Sequence, residues 1–306
     1  MKQYAKMHIE CTSRKKADKQ VYREFKERMK KYLLDEDMEL YRIPILSEDY
    51  QYAHELTQIY KVDDTIEDTE DYPGLYITDS GIIETDYTRK DYEQAVAYLV
   101  NFWYISYTYE YISDSDYEGP CCEKPKWKYQ NGLIQNKLYR IPASEFKNKK
   151  YAKIMFGYIV HEEVKQLLID NHLASEQDFQ KVITKKGETV CYQLKPENVI
   201  TGFAKDNHMD VFDYCRNCGL TQVHFGEEPY YMSKDTLKQL KGLNRTKETE
   251  GPIFIEKSMT RTEPFNSNFF SSLAPLYIVN KDTYNLLHVH YPRMQFIPIF
   301  AKEENA

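Results

Sequence analysis

Val21, Phe25, Met29 and Leu33 recur at every fourth position among lysines, arginines and glutamates, which predicts an amphipathic helix over residues 17–35. ELYRIPIL (39–46) reads as a strand, and the following segment as a helix opening on Ser47. The acidic stretch KVDDTIEDTEDYPG reads as a solvated loop closed by the Pro73-Gly74 turn. It lacks the spacing and the glycine of a calcium loop. GLYITDSGIIET (74–85) suggests a tight hairpin or a broken strand, RKDYEQAVAYLVNFW (89–103) a helix, and WYISYTYEYIS (103–113) a long strand. With the polar break DSDYEGP after it, this pattern makes residues 1–115 an N-terminal α+β domain and residues 116–306 a second one.

The second half contains an internal echo. YIVHEEVKQLLI from Tyr158 and YIVNKDTYNLLH from Tyr277 share five identities in twelve positions. Each reads as a strand running into a helix, with Asn280 as an N-cap in the later copy. A further strand follows each helix, FQKVIT from Phe179 and MQFIPIF from Met294, so one β-α-β unit is used twice. Between the copies lie GETVCYQLKP as the second strand of a hairpin, the stretch DYCRNCGLTQVHFG, and a helix at SKDTLKQLKGL. Residues 244–272 read as loop-rich around the strand PIFIEKSM. The expected fold class is α+β: mixed sheets with flanking helices, repeated β-α-β units in the second half, and an inserted loop resembling a zinc knuckle.

Composition narrows the function classes. No apolar run approaches the ~18 residues of a membrane helix and no secretory signal opens the chain, so a cytoplasmic protein without a membrane partner is expected. The net charge of −7 argues against nucleic acid as a partner, because phosphate affinity needs a concentrated basic face. The 28 tyrosines suit half-buried strand positions with a wet hydroxyl better than a stacking platform.

Six cysteines are too sparse for a disulfide scaffold, so the clustered ones are candidate metal ligands. In CRNCG, Cys215 and Cys218 are two residues apart, which lets two sulfurs converge on one zinc ion, and Gly219 permits a left-handed turn after them. The candidate second pair is Cys121 and Cys122 in GPCCEKPKW. His208 and His224 flank the knuckle and could replace one cysteine. Either a structural Zn2+ or a metal-free relic of such a site accounts for this set. HEEVK at His161 lacks the second imidazole of a zinc-protease helix, since Lys165 stands in the fifth position. His288 and His290 alternate as on a strand. No phosphate loop, dinucleotide fingerprint or nucleophile elbow is present, which leaves an enzyme of unadvertised chemistry as one alternative. A nucleic-acid-associated zinc module using Lys124, Lys126, Trp127 and Lys128 is another.

From residue 116 onward the chain resembles a family of bacterial proteins named for a double CxxCG motif. CRNCG matches its second knuckle; the helix after Tyr158-Ile159-Val160, followed by FQKVITKKGETVCYQLKP, is similar to its strand-helix-strand segment ending in a hydrophobic-x-Pro; and LYIVNKDTYNLLHVHYPRMQFIPIF is similar to its closing strand-helix-strand. The first family knuckle is altered here: Pro120, Cys122 and Trp127 are kept, Gly119 replaces the first cysteine, and Glu123 stands in place of glycine. The resemblance implies a non-catalytic, immunity-type inhibitor that binds a cognate secreted toxin. The acidic balance suits a basic nuclease as that toxin.

Overall fold

A computed structural model describes residues 1–36, 39–60, 74–101, 127–129, 139–140, 143–154, 157–184, 186–217, 219, 221–223, 228–255 and 270–302. The fold is α+β, and chain contacts divide it into two units, Met1–Glu93 with Glu227–Pro229, and Gln94–Gly226 with Tyr230–Ala306. The division comes earlier than the boundary at 115 expected from composition.

The first unit comprises β1 (Lys2–Cys11), α1 (Lys16–Met29), β2 (Leu33–Asp35), β3 (Leu40–Pro44), α2 (Glu48–Ile59), β4 (Leu75–Asp86) and α3 (Arg89–Gln94). Its sheet runs β2-β3-β1-β4 with every neighbour antiparallel. This is the ferredoxin-like arrangement, two β-α-β units each split by a strand of the other. Alternation fixes the buried face: Ala5, Met7 and Ile9 of β1, Tyr41 and Ile43 of β3, and Leu75 and Ile77 of β4 pack with Phe25, Met29, Ala53 and Leu56 of the helices. Helix α1 stops at Met29, short of the expected residue 35, because Leu33 enters β2 opposite Tyr41 and is left exposed. Ser47 caps α2 as expected, its hydroxyl accepting from the Tyr50 N–H at 3.1 Å. GLYITDSGIIET forms one strand whose register against β1 shifts between Ala5 and Met7, the broken-strand alternative.

One group of ion pairs in this unit ties the end of α1 and the turn after it to α2. Asp49, in the first turn of α2, receives Arg28 Nε at 2.7 Å, Lys31 Nζ at 2.9 Å and the Tyr32 hydroxyl at 3.0 Å. Hydrogen bonds from Arg28 and Lys31 hold its carboxyl down at about 2, below the ordinary 3.8. Because the folded value is depressed, the stabilisation is present above pH ~4 and is lost as pH falls through ~2. Screening of the more exposed Arg28 and Lys31 limits it to about 1 kcal/mol. In urea denaturation, Asp49→Asn is therefore expected to be less stable than the parent at pH 6, with the difference shrinking as pH falls from ~4 to ~2. A difference that persists undiminished at pH 2 would count against the ion pair.

The second unit contains β5 (Ala97–Val100), β6 (Trp127–Tyr129), β7 (Tyr139–Arg140), α4 (Ala143–Phe146), β8 (Tyr151–Ile154), β9 (Gly157–Val160), α5 (Glu162–Asp170), β10 (Phe179–Ile183) and β11 (Thr189–Leu194). There follow β12 (Val199–Ile200), α6 (Phe203–Asp206), β13 (Val211–Tyr214), β14 (Thr221–Val223), β15 (Tyr230–Met232), α7 (Lys234–Leu237), β16 (Leu243–Ile255), β17 (Phe270–Asn280), α8 (Lys281–His290) and β18 (Phe296–Ala301). One sheet runs β7-β10-β11-β9-β8. The other runs β13-β14-β16-β17-β5-β18-β15, with β12 also on β16 and β6 also on β17.

Both echo copies are β-α-β units, and in each an antiparallel strand is inserted between the two strands. β11 separates β9 from β10, and β5 separates β17 from β18. The registers agree residue by residue. Tyr192 lies opposite Val160 and Gln193 opposite Ile159; in the other copy Tyr98 lies opposite Val279 and Leu99 opposite Ile278. Each returning strand opens on a phenylalanine two positions beyond that tyrosine, Phe179 opposite Leu194 and Phe296 opposite Val100. The fourth helical residue of each copy covers the tyrosine of the inserted strand. Lys165 Nζ lies 4.3 Å over Tyr192, and Tyr284 stacks on Tyr98 with ring centroids 3.7 Å apart. Tyr158 and Tyr277, equivalent in the echo, meet edge to face at 5.3 Å.

Several expectations are corrected here. The helix over 89–103 ends at Gln94, and Ala97–Val100 is a strand buried on both faces at the centre of the larger sheet. The helix expected at 233–243 is the four-residue α7, and the strand expected from Pro252 begins already at Leu243, so 244–251 is strand where loop was expected. The strand expected over 103–113 lies outside the described residues.

The entry into β16 is fixed by a buried amide. Asn244, with no exposed surface, donates to the carbonyls of Lys241 at 3.0 Å and Ile278 at 2.8 Å. Its Oδ1 accepts from the Lys241 N–H at 2.8 Å and from Asn198 Nδ2 at 2.7 Å. Asn198 in turn reaches the Gln239 carbonyl at 2.8 Å, and the Gln239 side chain accepts from the Thr201 N–H at 2.9 Å. These side chains hold the short β12 beside β16 where the backbone ladder alone is two residues long.

Candidate metal knuckle

β13 and β14 form an antiparallel hairpin, and CRNCG is its tip. Cys215, 1% exposed, leaves β13 with its carbonyl accepting from the Gly219 N–H at 2.8 Å. Gly219 has φ +68°, the left-handed conformation in which glycine carries no side-chain penalty. The Thr221 hydroxyl donates to the Gly219 carbonyl at 3.2 Å, and β14 continues into a parallel ladder on β16, Thr221 opposite Glu248. A tight turn with its first cysteine buried and a left-handed glycine after the second suits a zinc-binding C-x-x-C-G, so the donor chemistry and the backbone fit a thiolate-bound ion.

Of the four expected ligands, Cys215 is placed in this turn, whereas Cys218, Cys121 and Cys122 lie outside the described residues, as does His224. Among the described residues no group of three or more His, Cys, Asp or Glu side chains converges on one point. His208 is described and sits at φ +53° just after α6. Cys11 and Cys191 carry free thiols. Cys191 is fully buried on β11, and burial pushes its thiol far up, so it is an apolar core residue and not a reactive group.

The remaining motifs have structural uses. His161 is the N-cap of α5, Nδ1 accepting from the Glu163 N–H at 3.4 Å. Lys165, in the position where a protease helix carries its second histidine, is 6% exposed and pairs with Glu176 at 2.9 Å and Glu162 at 3.4 Å. Burial opposes its charge, but the two carboxylates and the Tyr192 ring outweigh that and hold the ammonium above its ordinary value. His288 and His290 belong to a helix, not to a strand, so two-residue spacing turns them to different faces. His288 continues the aromatic column, stacked on Tyr284 at 5.3 Å. Sequence periodicity misses that column because its base, Tyr98, lies on β5. Trp127 and Lys128 pair with β17 as part of β6; Lys124 and Lys126 lie outside the described residues.

The helix-free face of the first unit's sheet carries a cluster of charged side chains. Arg42 on β3 lies 3.8 Å over the Tyr4 ring and pairs with Glu84 and Asp86, each at 2.8 Å. Lys6 on β1 pairs with the same Glu84 at 2.5 Å. Lys6 and Arg42 are thus neutralised by Glu84 and Asp86 of β4, which leaves these two cations little excess charge to offer a phosphate.

No helix is long and apolar enough to cross a membrane among the described residues. Compared with known proteins, the chain matches no family model, no curated protein and no solved structure.

Proposed function

We propose that this chain is a non-catalytic, immunity-type binding protein that neutralises a cognate secreted bacterial toxin in the cytoplasm by direct contact. Cys121, Cys122, Cys215 and Cys218 hold a structural Zn2+ in this reading. The observation that carries it is the tip of the β13–β14 hairpin, where the buried Cys215 and the left-handed Gly219 supply the turn that the second knuckle of the double-CxxCG family needs. A closed set of four protein ligands has no open position for substrate, so the metal serves as a staple. The charge of −7 favours a basic partner such as a nuclease toxin, since complementary charge raises the association rate and sharpens specificity.

The test uses the full chain and any candidate toxin whose gene is found beside its own. Co-expression is expected to restore growth, and calorimetry to give a complex tighter than micromolar that weakens as salt rises. A toxin from the adjacent gene that kills despite co-expression, and that stays unbound at micromolar concentrations, removes the proposal.

A further inference from the structure

Residues 14–31 carry nine cations against three carboxylates, in a chain whose net charge is −7. Helix α1 sorts them. Lys16, Lys19, Arg23, Lys26 and Lys30 follow one another at steps of three and four residues, the spacing that sets side chains in one row along a helix. Lys16, Lys19, Arg23 and Lys30 are exposed, and none of their side chains makes an ion pair or hydrogen bond with a described residue. The nearby carboxylates are engaged elsewhere. Glu39 holds Lys26 at 2.7 Å, and Asp49 holds Arg28 and Lys31 on the α2 side. Asp18 accepts from the Ser13 hydroxyl at 2.5 Å and Glu24 from the Gln20 amide at 2.9 Å. Glu27, also exposed, flanks the row and pairs with neither Arg23 nor Lys30.

The row runs against local helix energetics. Lys16 and Lys19 stand in the first turn, where the positive end of the helix dipole repels cations, and the N-cap is Lys15, whose side chain makes no capping bond. In α2 the same turn carries Glu48 and Asp49, the residues that helix stability alone favours. The apolar side of α1, Phe25 and Met29, is spent on the core, so it has no apolar face to lay in lipid. What fits the row is a regular line of closely spaced negative charge. Its cations rise ~5 Å apart over ~21 Å of helix, and a nucleic-acid strand offers a charge every ~3.4 Å. We infer that the outer face of α1 binds the phosphate backbone of a nucleic acid without reading its sequence, through Lys16, Lys19, Arg23 and Lys30. The net charge of the chain conceals this face because its cations are concentrated on one helix. The contact is independent of the zinc knuckle and of any toxin.

The test is fluorescence anisotropy of the full chain with labelled duplex DNA, duplex RNA and single-stranded DNA at ~50 and ~200 mM salt. Four phosphate contacts predict a salt slope of about −3.6 on duplex DNA, hence an affinity about a hundredfold lower at the higher salt. Duplexes should bind more tightly than the single strand, whose charge density is lower. Lys16→Glu, Lys19→Glu and Arg23→Glu combined should weaken binding more than about tenfold and flatten the slope by about 2.7. Melting temperature should hold or rise, because carboxylates suit the first helical turn. The corresponding triple glutamine variant removes the same charges without adding repulsion and should fall between the two. Glu27→Lys, which widens the row, should tighten binding. A parent that binds none of the three probes at the lower salt, or triple variants that bind as the parent does, overturns the assignment. Equally tight binding to polyglutamate would make the partner an acidic protein and also overturns it, as does binding to phosphatidylserine vesicles without binding to nucleic acid.

Discussion

Gly242→Ala is expected to lower stability by about 3 kcal/mol, with a fall in melting temperature of roughly 6–12 °C for a unit of this size. An added Cβ would lie 2.0 Å from the Leu173 carbonyl oxygen, and neither backbone is free to retreat. Leu173 is held by the close of α5, where His172 adopts φ +58° and the Leu173 N–H donates to the Leu168 carbonyl at 2.9 Å. Gly242 is held from the other side by α8, because its carbonyl accepts from the Thr283 hydroxyl at 3.0 Å and the Asn280 N–H at 3.4 Å. The glycine is thus the spacer between the end of one repeat helix and the start of the other. Gly187→Ala is the control: it also strains the backbone, at φ +85°, but meets nothing within 4 Å and should cost only about 1 kcal/mol. If the two variants melt at the same temperature, the close approach does not matter.

Asn244→Ala is expected to cost about 4 kcal/mol, because truncation leaves two carbonyls, one N–H and the Asn198 amide without their partner in a site closed to water. Asn244→Asp keeps the shape and should be as damaging, since a carboxylate cannot donate to the carbonyls of Lys241 and Ile278. Asn198→Ala should cost less, and the double variant less than the sum, because the two amides share a bond. Urea denaturation of the four proteins measures this. Full additivity would show that the amides act independently.

These two positions mark the limit of what the sequence reveals. Nothing in KGLNR distinguishes Gly242 from an ordinary turn glycine or Asn244 from a loop asparagine, since the groups that constrain them come from α5, β12 and β17. The echo is legible because its apolar positions and caps are local: Tyr-Ile-Val, the N-cap Asn280 and the Leu-Leu pair lie within one strand and one helix. The inserted strands are not legible. AYLV is read as a continuation of a helix because its four residues are all apolar or aromatic, and only burial between β17 and β18 decides for a strand. At the candidate site the turn was readable from CRNCG alone.

The insertion of β5 between β17 and β18 also constrains the order in which the chain reaches its fold. Ala97–Val100 is made early, yet both strands that cover it lie in residues 270–301. At ~5–20 residues per second, a ribosome takes on the order of ten to forty seconds to supply them. The first unit's β1, β3 and β4 are all complete by residue 86, so its sheet can close while most of the second remains to be synthesised. The second unit waits with an apolar quartet uncovered until residues 270–301 have been made, and its long-range closure should make it the slower unit to refold.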